Sequence, residues 1–539
     1  MNTQPSRLFA AVFLALCIIS CNKAEKNVST PDDGSTVYGF VTAGGVGLSG
    51  VVVSDGKEVV LTDEDGRYSL KSDKANGSIF VSVPSGYEAL SDGVLPLFHF
   101  RTSKSPSNKE RIDFELKPVD QSEYKMLFFG DMHLADRSFT NDIKQFRRFA
   151  SEVNSLTADS GTPVYALTLG DMTWDVFWEA NGYGFKRYLS EIQKDFSGIQ
   201  IFHTMGNHDN DPDGRGDAAG SSTYEARIAP NHYSFNAGGV HYIVLDDIIY
   251  KNFSASRDYS SGVSEEQLEW LEKDLGYIPR STPVVVSMHI PLYNKNGNAN
   301  MTNFTELISY FKDFDYVQFV TGHKHLVYNV DMLDRSVPIY ENVSGSVCGS
   351  LWMTETACES GMNLCCDGAP GGYRIMDIKG NDIRWTYKGT ECPQEQQFRT
   401  YDRNSFCLDV NGWVPHASAA DQKAFLASVG NYANKSISNQ VLINVWDYDP
   451  SWSISVKENG KSLTVNQLKN VKDPLYLAVY EAYEYEHGYS VSYPANTTDH
   501  IFSVNASSPS STLEIEVTDR FGRTYSETML RPKPFYSPK

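Results

Sequence analysis

Beyond residue 20 the chain has no apolar run long enough to cross a bilayer. Basic charge is also scarce: 47 Lys+Arg stand against 67 Asp+Glu, a net charge of −20. Non-specific nucleic-acid binding needs a basic footprint, so no nucleic-acid partner is expected. Internal repeats and low-complexity tracts are missing, which excludes solenoids and disordered arrays. No paired C-x-x-C spacing occurs, which argues against a thiolate zinc site. What is present is 539 residues, 41% hydrophobic and 12% aromatic. That is enough for about three globular domains with a β-rich cast.

The N-terminus reads as an address. Leu8 to Ser20 is an apolar stretch after Arg7, too short for a comfortable membrane span and suited to a signal-peptide core. It runs into Ile18-Ile19-Ser20-Cys21, which resembles a bacterial lipobox. The expectation is an exported lipoprotein, in the periplasm or on the cell surface, held to the membrane by lipid on Cys21. Of the eight cysteines, Cys17 and Cys21 belong to that leader. The other six, Cys348, Cys358, Cys365, Cys366, Cys392 and Cys407, predict disulfides of open connectivity.

Five segments follow: residues 1–21 as leader and lipidated Cys, 22–36 as tether, 37–119, 123–392 and 393–539. The first domain is strand-like, with an Asp-Gly hairpin signal at Asp65-Gly66. It resembles a transthyretin-like β-sandwich and is read as a spacer. In the second, apolar strands alternate with helical patterns, which implies an α/β layered domain. Strand candidates are Lys125–Gly130, Val164–Gly170, Gln200–Met205, His241–Asp246, Val284–His289 and Tyr316–Gly322. In the last domain, Val445–Pro450 and Leu475–Tyr485 read as aromatic-rich strands, and Ser511–Arg531 as a strand pair. Its Trp and Tyr residues leave a carbohydrate-binding tail open.

Five of the central strands end in residues that bind metals. They run into Gly130-Asp131-Met132-His133, Gly170-Asp171, Gly206-Asn207-His208-Asp209, Met288-His289 and Gly322-His323-Lys324-His325. Each motif alone is weak. The ordered set, each after an apolar strand, is specific, because glycine lets the chain turn where the strand stops and ligands gather beyond strand C-termini.

This set resembles the calcineurin-like metallophosphoesterases, in the bacterial three-domain lipoprotein form with β accessory domains at both ends. The resemblance implies an α/β (α+β layered) fold: a β-sandwich flanked by helices, with an N-terminal transthyretin-like β-sandwich and a C-terminal mostly-β domain. It implies two divalent metal ions. Asp131, His133 and His325 would hold one, Asn207, His289 and His323 the other, and Asp171 would bridge them. His208 would be the catalytic acid beside the leaving oxygen. All these donors are N or O, which suits Mn, Fe, Zn or Ni. Two such ions supply an activated hydroxide for in-line attack on phosphorus.

Around this set the sequence offers further candidates. Asp175 and Asp209 are read as carboxylates orienting the histidines. Trp174 and Trp178, with Tyr183, are read as a wall for a sugar or organic leaving group. The activity expected is hydrolysis of a phosphate ester outside the cytoplasm, with a lean to a phosphodiester bearing a glycan or glycerol moiety. One rival is a phosphomonoesterase or nucleotidase that scavenges phosphate. Another is a surface glycan-binding lipoprotein with a vestigial metal site.

Overall fold

The computed structural model describes residues 31–252, 258–354, 363–435 and 438–535. The lipobox with Cys21, most of the proposed tether, and Cys358 lie outside the described residues.

The central unit is built on two sheets. The strands are β1 (Glu123–Phe129), β2 (Val164–Thr168), β3 (Gln200–Phe202), β4 (Tyr233–Ala237), β5 (Val240–Val244), β6 (Val284–Ser287), β7 (Val317–Thr321), β8 (Tyr328–Met332), β9 (Ile339–Val343), β10 (Gly372–Lys379) and β11 (Asp382–Gly389). The first sheet has the order β3-β2-β1-β10-β11 and the second β4-β5-β6-β7-β9-β8. β1, β2 and β3 are parallel, as are β5, β6, β7 and β9. Strands β2, β5, β6 and β7 are mostly apolar and buried along their whole length, as strands covered on both faces are. The two sheets share one core. Phe202 of β3 stacks on Phe235 of β4 at 4.1 Å, and the Tyr124 and Tyr242 hydroxyls meet at 2.8 Å. Helices α1 (Asp142–Asp159), α2 (Phe185–Asp195) and α3 (Glu265–Leu275) flank the sheets. Ser264 caps α3 by accepting from Gln267 N.

The N-terminal strands form a six-stranded and a four-stranded sheet. The segment is not a detached spacer. Phe98 packs on Phe202 and Tyr233, and Ser82 bonds Ser234 at 2.9 Å, so its core is continuous with that of the central unit. The Asp-Gly signal makes a turn but no hairpin. Asp63 Oδ1 accepts from Asp65 N and Arg67 N, while the flanking strands Val59–Leu61 and Arg67–Leu70 pair into different sheets.

The C-terminal unit departs from its reading in two places. Pro474–Glu486 is a helix with a π-helical middle turn, not a strand. Asp473 caps it through the Leu475 and Tyr476 amides, and Pro474 sits at its first turn, where a missing N–H costs nothing. Val445 ends a strand, and residues 446–450 turn away from it. Trp446 and Trp452 are buried and so offer no surface for carbohydrate, whereas Tyr489 is exposed. Leu513–Thr518 and Thr524–Met529 do pair antiparallel.

The disulfide expectation is not met by the described cysteines: Cys348, Cys365, Cys366, Cys392 and Cys407 are free. Cys365 packs among Val327, Tyr387 and Trp446, whereas its neighbour Cys366 packs in a different cluster with Tyr401 and Tyr476. Four of the five are buried and behave as small hydrophobes.

Candidate active site

The predicted donors leave the C-terminal ends of β1, β2, β3, β6 and β7 and converge. Asp131, His133, Asp171, His323 and His325 all have positive φ, between 44° and 67°. Left-handed backbone disfavours most side chains and collects at functional sites, where the surroundings hold it in place. Here it turns the chain just after each strand, so the side chains point back over the strand ends.

Two groups of donors result. In the first, Nε2 of His325 lies 3.5 Å from Asp131 Oδ1 and 3.2 Å from His133 Nε2. In the second, His289 Nε2 lies 3.0 Å from Asn207 Oδ1 and 3.1 Å from His323 Nδ1. Asp171 Oδ2 stands between them, 3.5 Å from His133 Nε2 and 3.3 Å from His289 Nε2. Its other oxygen accepts the His208 amide at 2.7 Å.

The tautomers are set from behind. His289 Nδ1 donates to Leu169 O at 2.7 Å, and His325 Nδ1 donates to Gly349 O at 2.6 Å. Both Nε2 lone pairs therefore face inward. Each meets another imidazole nitrogen at hydrogen-bond distance, and no acidic proton is needed there if a cation sits between them. The acidic side chains say the same. Burial pushes the Asp131 carboxyl up. Against the cost of burial, Asp171 and Asp131 hold His289 up to about 10. Burial holds His133 and His323 down instead, as neutral donors, and the all-N,O donor set fits divalent ions. Asp131, His133 and His325 could hold one ion, and Asp171, His289 and His323 another.

His208 lies beside the first group, its ring 5.0 Å from that of His133. Its Nδ1 is 2.8 Å from Asp175 Oδ1, so Asp175 orients His208, not a donor of either group. Asp209 does something different from what the sequence suggested. It touches no histidine and accepts from the amides of Gly206, Met172 and Thr173, clamping two loops together. The aromatic trio also divides. Trp174 lies 5.7 Å from His133 and 5.9 Å from His208. Trp178 turns away, donating to Thr173 Oγ1 and packing on Phe185, and Tyr183 is fully buried.

Further groups support the site, and of them only Asp247, at the end of a strand candidate where it could line the crevice or cap a loop, was legible in the sequence. Asp247 accepts the His289 and Ile290 amides. Glu341 accepts those of Leu292 and Tyr293. Arg137 lies over Trp174 at 4.9 Å, and Tyr493 of the C-terminal unit lies 5.8 Å from His325. Glu341, Arg137 and Tyr493 are revealed only by three-dimensional proximity.

Comparison with known families settles the kinship. Residues 124–327 match Calcineurin-like phosphoesterase, residues 35–119 match N terminal of Calcineurin-like phosphoesterase, and residues 341–525 match C terminal of Calcineurin-like phosphoesterase. The chain belongs to the calcineurin-like phosphoesterases. As such it is a dimetal hydrolase of phosphate esters. Among relatives of this calcineurin-like phosphoesterase, Purple acid phosphatase 23 of Arabidopsis thaliana is 26% identical over 338 residues, covering 52% of this chain and 69% of that protein. Purple acid phosphatase 13 of the same plant is 31% identical over 207 residues, 35% of this chain and 34% of that protein. Two solved structures are similar at lower levels. One of PhoD has 10% identity, a TM-score of 0.33, and coverage of 62% of this chain and 78% of that chain. That of 5'-nucleotidase from Candida albicans SC5314 has 11% identity, a TM-score of 0.31, and coverage of 50% and 53%.

Proposed function

We propose that Asp131, His133 and His325 hold one divalent ion, that Asn207, His289 and His323 hold a second, and that Asp171 bridges them. The observation that carries this reading is the single Asp171 oxygen facing a histidine of each group. Bound there, Mn, Fe, Zn or Ni would supply Lewis acidity toward a phosphoryl oxygen and lower the pKa of water. The chain's own residues do the rest. Asp175 fixes the His208 ring through Nδ1, leaving Nε2 to hold a proton. As the P–O bond to the leaving group breaks and water oxygen bonds to phosphorus, that proton passes to the departing oxygen. Trp174 stands edge-on to the His208 ring on this side.

The ester is a monoester or a diester, and the two readings rest on different support. The relatives are named phosphatases, which favours a monoester. The accessory units motivate the diester with a glycan or glycerol moiety. The reading also includes export and anchorage through Cys21, supported by the apolar stretch before it.

The test is metal counting by mass spectrometry together with turnover of p-nitrophenyl phosphate and bis-p-nitrophenyl phosphate, with and without chelator. Two metals per chain and chelator-sensitive turnover are expected, and the preferred ester decides between the two readings. A metal-free protein, after Mn, Zn and Fe have been offered, would overturn the assignment and favour a binding role. Anchorage is tested separately: Cys21→Ser should move the protein from the membrane to the soluble fraction.

A further inference from the structure

The C-terminal unit reaches the catalytic crevice. Tyr493 lies beside His325, half-buried, on a loop that is firmly held. Its carbonyl accepts from the Tyr476 hydroxyl at 2.7 Å. Two residues on, the Ala495 amide donates to buried Glu481 at 2.7 Å, and the Asn496 amide donates to Cys366 O. The loop is thus fastened both to the Pro474–Glu486 helix and to the central unit.

Across the crevice stands Trp174, against His133 and His208. Arg137 lies on the face of Trp174. Its guanidinium lies 4.9 Å from the Trp174 ring, its Nη2 donates to Leu351 O at 2.7 Å, and its Nε stands 3.9 Å from Asp142 Oδ2. An Arg held on an aromatic face keeps its planar fork oriented while leaving donors for an oxyanion. The two aromatic rings therefore flank the first donor group, Trp174 against His133 and His208 and Tyr493 against His325, with Arg137 on the Trp174 face.

We propose that Trp174, Arg137 and Tyr493 form the leaving-group pocket, that the pocket takes a ring-bearing alcohol with an apolar face, and that the C-terminal unit governs substrate choice by contributing Tyr493. This rests on the phosphoesterase reading above. Aromatic faces recognise flat apolar surface, and Arg137 supplies a fixed cation beside the ester oxygens.

The experiment uses the full chain loaded with Mn and measures binding by calorimetry of phenylphosphonate and methylphosphonate, which cannot be hydrolysed. The wild type should prefer phenylphosphonate. Tyr493→Ala should lower that preference about tenfold, the size of one lost aromatic contact, while Tyr493→Phe should keep it. A variant that binds both phosphonates equally more weakly, or Tyr493→Ala with the preference unchanged, would overturn the proposal. Metal content is measured for every variant, so that a damaged centre is recognised. Turnover of phenyl phosphate by the wild type is followed in parallel. Its absence together with an intact phenyl preference would defeat the hydrolase reading and leave the pocket standing.

Discussion

His208 is the residue on which the chemistry can be separated from metal binding. Its ring is close enough to His133 and Asp171 to serve as a donor, yet Nδ1 is already committed to Asp175. His208→Ala should keep two metals per chain and lower kcat by about 10²–10⁴-fold, the range for a positioned acid. Loss of one metal in that variant would make His208 a ligand instead. Asp131 offers a second test, because its role has a backbone part. Both its oxygens accept the His323 amide, and its own φ is 49°. Asp131→Asn should lose metal but melt near the wild type. Asp131→Val should lose metal and a further ~1–2 kcal/mol, because a β-branched residue resists left-handed backbone. Thermal melts with metal analysis distinguish the two. At this scale the sequence is most readable: all eight motif positions converge as their order implied. Asp209 was misread because an Asp beside a His can as well clamp amides, and spacing does not tell the two apart.

The elements show where legibility ends. Strands β1, β2, β5, β6 and β7 were readable because parallel strands are largely apolar runs, and a glycine marks the end of β1, β2 and β7. Gly170 has a sharper role than punctuation. Its φ is +86°, and a Cβ there would lie 2.5 Å from His289 Nδ1. Gly170→Ala should displace His289 from Leu169 O and lower metal affinity, measurable by titration with a metal indicator. The Pro474–Glu486 helix was misread because a short apolar, aromatic run fits either period. Asp473, which decides the matter, also accepts from Tyr401 and Asn444. Asp473→Ala removes four hydrogen bonds at a buried site and should cost about 3 kcal/mol in urea denaturation, since bonds to a charged acceptor are the strong ones. If the helix docks through apolar contacts alone, the loss will be below about 1 kcal/mol.

In the whole molecule the three segments are not beads on a string. Arg374 of β10 forms a bidentate pair with Asp447, both fully buried, at 2.9 Å on each arm. Lys295, in the loop after His289, donates to Thr497 O, and Asp367 meets His500. A chain cut after residue 392 would leave Arg374 buried without its partner, at a cost of about 3–5 kcal/mol. It should therefore be insoluble or melt far below the intact chain when expressed. None of these cross-segment contacts was legible, because each joins residues far apart in sequence with no motif of its own. The continuous core from Phe98 to Phe202 and Tyr233 has a mechanical corollary. Load applied to the N-terminal segment passes directly into the flank of the catalytic sheets. The crevice must then keep a constant bearing to the N-terminal strands.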